Sequence, residues 1–230
     1  MVFELKNIEK SFGEKKVLTG VSFKAEGGKA FGLLGRNGAG KTTSIRILMD
    51  VFPANSGEVL IDGQPIDYNK IGIGYLPEER GLYPKKIIID QLTYFAELKG
   101  MGRKAAVQSI DYWLGRLGMT EYRNKKLETL SKGNQQKIQL ITALAHDPDI
   151  IILDEPFSGL DPVNAMLLKE VVKEQIAKGK IVLFSSHQMS YIEEFCDSIA
   201  ILNNGVVALH GDLHDIKRDY PRDRLVVKTE

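Results

Sequence analysis

A single cysteine, Cys196, stands among the 230 residues, so no internal disulfide can form and the composition fits a reducing compartment. Cys196 itself reads as a small helix residue rather than a redox centre. No apolar stretch approaches the ~18 residues that span a bilayer, and the charged first 16 residues lack a signal-peptide core. These absences predict a soluble chain that stays in the cytoplasm. An excess of one charge is missing too: 31 basic against 30 acidic residues give a formal +1, whereas a generic nucleic-acid binder is more basic. There is no internal repeat and no low-complexity segment. What is present is 43% hydrophobic content, enough for one large α/β domain with a smaller subdomain.

Residues 2–8, 17–24 and 58–62 carry apolar or β-branched side chains between turn signals such as Gly27-Gly28 and Asp62-Gly63, and predict short antiparallel strands. From residue 90 to 146 the period becomes helical, with Leu92, Phe95 and Leu98, then Ile110, Trp113, Leu114 and Leu117. Residues 85–147 therefore read as a helical subdomain inserted into an α/β core of residues 1–84 and 148–212, followed by a tail, 213–230. Continuous apolar runs return at 150–153, 181–184 and 199–202, separated by helical stretches 163–178 and 190–196. Such runs suit a parallel sheet covered on both faces. Asn203-Asn204-Gly205 before Val206 predicts a hairpin turn. Basic groups at Lys85-Lys86, Arg103-Lys104 and residues 123–126 read as a solvated helical face, with a place beside a membrane partner or anionic lipid as the alternative.

The strongest motif is Gly35-Arg36-Asn37-Gly38-Ala39-Gly40-Lys41-Thr42, which follows the apolar run Phe31-Gly32-Leu33-Leu34 and precedes Ile45, Ile47 and Leu48 at helical spacing. Glycines let successive N–H groups turn inward around an anion, with the positive end of a helix dipole behind them. Lys41 is placed to reach the β- and γ-phosphates of a nucleotide, the Thr42 hydroxyl to hold Mg²⁺, and Thr43 to line the same loop. A second constellation is Ile150-Ile151-Ile152-Leu153 ending in Asp154-Glu155, which delivers two carboxylates at the edge where open α/β sheets bind ligands. Strand alternation predicts that Asp154 faces the metal while Glu155 faces an attacking water.

These two motifs, with Leu130-Ser131-Lys132-Gly133-Asn134-Gln135-Gln136-Lys137 between them, Ser158-Gly159-Leu160-Asp161-Pro162 and Ser185-Ser186-His187, resemble the nucleotide-binding subunit of ABC transporters. The resemblance covers residues 2 to 212. It implies a P-loop NTPase core with a mostly parallel sheet, an N-terminal antiparallel β-subdomain and an inserted α-helical subdomain. It also implies an ATPase that uses ATP and Mg²⁺ and carries catalytic Lys41, Glu155 and His187. Phe12, in Lys10-Ser11-Phe12-Gly13, matches the aromatic that stacks on adenine; a core phenylalanine is the alternative. Ser131 and Gly133 match the residues that bind the γ-phosphate of ATP on another protomer, so the resemblance implies a homodimer or a heterodimer. His187 matches the switch histidine, with a helix cap as its plainer role. His146, His210 and His214 match nothing.

Two departures from the family pattern stand out. Lys132 replaces a glycine and Asn134 a glutamine in the signature, and Glu78, in Gly74-Tyr75-Leu76-Pro77-Glu78, stands where a glutamine is usual. A carboxylate can still ligate Mg²⁺ or its water but donates no hydrogen bond when ionised. Both variants resemble the branch containing sodium-extruding and antibiotic-efflux systems. The implied protein sits peripherally on the inner face of the cell membrane under a separate transmembrane permease subunit, which chooses the substrate. A ribosome- or DNA-acting relative is the rival, but neither a second cassette nor a long coiled coil is present. A module that binds nucleotide without turnover would lack Glu155 or His187. Residues 224–228 alternate like a beginning strand, which fits either a truncated chain or a short natural form.

Overall fold

The computed structural model describes residues 1–79, 81–158, 160–186 and 189–219, without the side chains of Met189 and Ser190. Of the positions singled out above, Gly159, His187 and residues 224–228 lie outside the described residues.

The alternating N-terminal segments form an antiparallel sheet of β1 (Val2–Phe12), β2 (Lys15–Glu26), β4 (Ser56–Ile61) and β5 (Gln64–Pro65), in the order β2-β1-β4-β5. Phe3, Leu5, Ile8, Leu18, Val21 and Phe23 are buried on its inner side. A second sheet has the order β10-β9-β3-β8-β7-β6. Its members are β3 (Ala30–Leu34), β6 (Ile73–Leu76), β7 (Ile150–Asp154), β8 (Ile181–Ser186), β9 (Ser198–Asn203) and β10 (Val206–Asp212). Strands β9 through β6 are parallel, and β10 closes one edge as an antiparallel hairpin. Asn204 (φ 49°) and Gly205 (φ 78°) make its two-residue turn, the left-handed pair that a type I′ hairpin requires.

The central strands read as unbroken apolar runs because both faces are covered. Ile150, Ile152, Ile181 and Leu183 join the core beneath the antiparallel sheet, whereas Ile151, Leu153, Val182 and Phe184 join a second core beneath the helices. Burial of each such side chain stabilises the fold by about 1.5–3 kcal/mol relative to exposure.

Between β6 and β7 lie α2 (Ile88–Leu98), α3 (Arg103–Arg116) and α4 (Lys132–Leu144). Ile88, Leu92 and Ala96 on α2, Ile110, Trp113 and Leu114 on α3, and Ile138, Ile141 and Leu144 on α4 form one packed face. Around this face the basic groups pair at the surface: Arg123 with Asp111 at 2.7 Å and Lys125 with Glu121 at 3.6 Å. Exposed pairs of this kind contribute at most about 1 kcal/mol each. The remaining helices are α1 (Lys41–Leu48), α5 (Pro162–Ala177), α6 (Met189–Phe195) and α7 (Leu213–Asp219). Cys196 follows α6, is buried, and has its thiol pushed up to about 12 by desolvation, so it holds no thiolate at neutral pH.

Candidate functional site

The loop after β3 turns at the C-terminal edge of the second sheet and runs into α1. Gly40, the N-cap of α1, has φ 112°, and a Cβ there would lie 2.5 Å from Leu18 Cδ2. Only glycine satisfies both conditions. No side chain caps α1 among the described residues and its first turn carries no acidic residue, so the positive end of the helix dipole stays open toward the loop. The Lys41 side chain is buried, and its ammonium donates to Gly35 O at 2.6 Å and Arg36 O at 3.5 Å. The loop thus holds its cation against backbone carbonyls, from which a phosphate can draw it.

Around this loop lies a cavity of about 730 Å³, ample for a triphosphate. Arg36, Asn37, Gly38, Gly40, Lys41, Thr42 and Thr43 line one side, and Glu78, Asp154 and Glu155 face them. Lys15, Lys16, Val17 and Asn204 complete the wall. Gly35 and Ala39 belong to the loop but not to the lining; their carbonyls accept from Lys41 Nζ and from Gly205 N.

Strand pairing explains how residues far apart in sequence meet here. Strand β8 lies between β3 and β7, with Leu34 opposite Ser186 and Asp154 opposite Ser185. Asp154 is the last residue of β7 and is buried, which pushes its carboxyl above the ordinary range while the Ser185 and Tyr75 hydroxyls pull the other way. Tyr75 Oη donates to Asp154 Oδ2 at 3.2 Å, and burial together with that carboxylate drives the Tyr75 phenol well above its usual range. Glu155 departs from the strand alternation that its sequence position implied. Its φ of 47° takes the chain off β7 into a left-handed turn, a conformation costing on the order of 1–3 kcal/mol for a non-glycine residue. The turn is held by Glu155 N donating to Ser185 O at 2.8 Å and by Ser186 Oγ donating to Glu155 Oε2 at 2.9 Å. The two carboxylates therefore diverge through a backbone turn, and Glu155 is buried beside the cavity.

Other sequence candidates stay outside the lining. Phe12 is 49% exposed and packs edge-on against Phe52 at 5.5 Å, with Lys10 Nζ about equally close to both rings. Ser131 N-caps α4, its Oγ accepting from Asn134 N at 3.3 Å, and is exposed. Gly133 lies against the start of α5: a Cβ there would be 2.8 Å from Asn164 Nδ2. Lys132 lines a neighbouring cavity of about 460 Å³ whose walls include Glu78, Glu79 and Glu155. The sequence missed Tyr75, Ser186 as the partner of Glu155, and the Lys15-Lys16 pair; the lysines alone left a local signal, a basic pair just after the Gly13-Glu14 turn.

A glycine-rich loop between a central parallel strand and a helix, facing an Asp-Glu pair at the end of a nearby strand, defines a nucleotide-binding protein of the P-loop type. The family model described as ABC transporter matches residues 18–158. The uncharacterized ABC transporter ATP-binding protein YhaQ of Bacillus subtilis (strain 168) is 47% identical over 227 residues, spanning 97% of this chain and 76% of that protein. The linearmycin resistance ATP-binding protein LnrL of the same organism is 34% identical over 236 residues, 99% of this chain and 75% of that one. Among solved structures, an ATP-binding subunit of an ABC transporter superposes with a TM-score of 0.86 at 31% identity, covering 95% of this chain and 92% of that chain. The chain belongs to the ABC transporter family, in which it is an ATP-binding subunit.

Proposed function

We propose that the chain hydrolyses Mg²⁺-bound ATP at an interface between two ATP-binding subunits and thereby drives export through a separate transmembrane subunit. The observation that carries this reading is the convergence of Lys41, Thr42, Glu78, Asp154 and Glu155 on one cavity of about 730 Å³. Lys41 leaves its carbonyl partners for the β- and γ-phosphates, and the open amides at the start of α1 receive the remaining oxygens. Glu155 orients or deprotonates the attacking water, with its carboxylate steadied by Ser186. Phosphoryl transfer to water is mostly positioning and charge stabilisation, so these groups carry most of the rate.

The donor chemistry suits Mg²⁺. The Thr42 hydroxyl and the Asp154 and Glu78 carboxylates are hard oxygen ligands on one cavity, and the desolvation that raises the Asp154 carboxyl is relieved by a cation beside it. When bound, the ion neutralises charge on the phosphate oxygens.

Phe12 offers its half-exposed ring to the adenine, and Ser131 and Gly133 at the start of α4 act on ATP held by the other subunit, with His187 at the γ-phosphate. Both Ser131 and Gly133 lie outside the lining of their own chain's cavity, which supports their action on another molecule. The relatives' names as ABC transporter ATP-binding proteins support a separate transmembrane partner, with the subunit seated on the inner face of the membrane; no helix among the described residues is long and apolar enough to cross a membrane. Export is supported by the likeness to the Nod factor export ATP-binding protein I of Burkholderia lata, 32% identical over 215 residues. Glu155→Gln tests the chemistry: ATP binding stays while turnover drops by about 10²–10⁴-fold, the usual contribution of a general base. Hydrolysis at the native rate refutes the role of Glu155.

A further inference from the structure

Three glutamines make α4 a common anchor for three loops. Gln135 Nε2 donates to Leu130 O at 3.0 Å, Gln136 Nε2 to Pro156 O at 2.6 Å, and Gln139 Nε2 to Glu79 O at 3.0 Å and Pro77 O at 3.4 Å. The first tie holds the turn that starts α4 itself. The second reaches the residue after Glu155, and the third grips the backbone on both sides of Glu78.

Gln139 is the most deeply buried of the three, at 5% exposure. A buried amide donor is costly to leave unpaired, so it keeps the carbonyls it faces. Its two acceptors fall where the sheet stops guiding the chain, since the β6–β7 ladder ends with Leu76 opposite Leu153. Beyond that point Gln139 fixes Pro77 and Glu79, and Glu78 between them lines both the phosphate cavity and the neighbouring cavity that Gln139 itself lines. Glu78 also contributes to the field felt by Tyr75, the hydrogen-bond partner of Asp154, so the 77–79 segment and the end of β7 share one electrostatic neighbourhood.

We propose that Gln139 is a positioning residue for Glu78: by holding the carbonyls of Pro77 and Glu79 it aims the Glu78 carboxylate at the phosphate cavity. This rests on the reading of Glu78 as a metal-side carboxylate. Because Gln139 sits two turns along the helix whose first turn carries Lys132 and Gly133, a shift of α4 is passed directly to the metal side of the site. Gln136 passes the same shift to the loop after Glu155.

The test uses the whole purified chain and an ATP titration by calorimetry, with Mg²⁺ and again with EDTA. The ratio of the two affinities measures the Mg²⁺ enhancement. Gln139→Met keeps length and burial but removes the donor. It lowers the enhancement about three- to tenfold, the worth of one or two hydrogen bonds, and leaves the EDTA affinity within about twofold. Amide exchange in peptides covering residues 73–79 accelerates in parallel. Gln139→Asn, which keeps a shortened donor, falls between, and it carries the same measurement if the methionine variant does not fold. In a Glu78→Ala background, Gln139→Met has less than about a twofold further effect, as expected of one residue acting through another. An unchanged enhancement in both Gln139 variants while Glu78→Ala loses it overturns the proposal alone. An equal loss with and without Mg²⁺, or full additivity with Glu78→Ala, also overturns it. Glu78→Ala with wild-type enhancement removes the metal reading, and the proposal with it.

Discussion

Two helix starts in this molecule suit a phosphate, and they are built in opposite ways. At α1 the approach is assembled from distant parts of the chain: Gly40 fits under Leu18, Lys41 is buried, and Glu78, Asp154 and Glu155 arrive on or just beyond β6 and β7. At α4 the approach is local and outward. Ser131 caps its own helix and is exposed, Lys132 is exposed, and Gly133 rests on Asn164 of α5. The first start is enclosed by Glu78, Asp154 and Glu155, whereas the second meets Glu78 and Glu155 through Lys132, which lines a neighbouring cavity with them. In the composite site proposed above, the first start of one chain meets the second start of another.

The contrast is broken most severely at Gly40. Gly40→Val forces a β-branched residue to φ 112° and into Leu18, which costs about 1–3 kcal/mol in backbone strain alone and disrupts the loop amides. Nucleotide affinity, measured by calorimetry on the purified chain, falls by more than about tenfold, since 1.4 kcal/mol already equals one decade. Retention of wild-type affinity removes the requirement for a left-handed N-cap at α1.

A middle-sized effect belongs to Phe12. Phe12→Ala removes a stacking face worth about 1–3 kcal/mol by analogy with base–aromatic stacking, while the edge contact with Phe52 is lost too. ATP affinity drops, and affinity for inorganic triphosphate, which has no base, does not. Equal losses for both ligands make Phe12 a packing residue.

The smallest effect on binding and the clearest separation between the two helix starts come from Ser131→Ala. Losing the N-cap costs about 0.5–2 kcal/mol of stability, read as a lower thermal midpoint, while the ATP affinity of the isolated chain stays unchanged. Turnover of the assembled protein falls. A loss of affinity in the isolated chain would place Ser131 in its own cavity instead.

How far each helix start was legible in the sequence follows from how it is built. The loop before α1 could be read because strand, glycines, Lys41 and helix are contiguous, and the hairpin at Asn204-Gly205 because its turn chemistry is local. The carboxylates at the end of β7 were legible as a pair, but not the manner of their divergence. Period-2 alternation assumes that the strand continues, and the left-handed turn at Glu155 is imposed by Ser185 and Ser186 on β8, about thirty residues away. Strand β6 leaves no strand signal of its own, because four residues containing a glycine carry little periodicity, and only pairing with β7 makes them a strand. Tyr75 to Asp154 and Gln139 to Glu79 span 79 and 60 residues, so no local pattern announces either contact.

Complementation between chains decides whether the two helix starts belong to one composite site. Lys41→Ala leaves the start of α4 intact, and Ser131→Arg leaves the start of α1 intact; each is nearly inactive alone. Mixed and isolated as a heterodimer through two different affinity tags, they rebuild one complete site from the native Lys41 of one chain and the native Ser131 of the other. ATP hydrolysis by that heterodimer is predicted to rise well above the sum of the two inactive homodimers. A heterodimer as inactive as its parents contradicts the composite site.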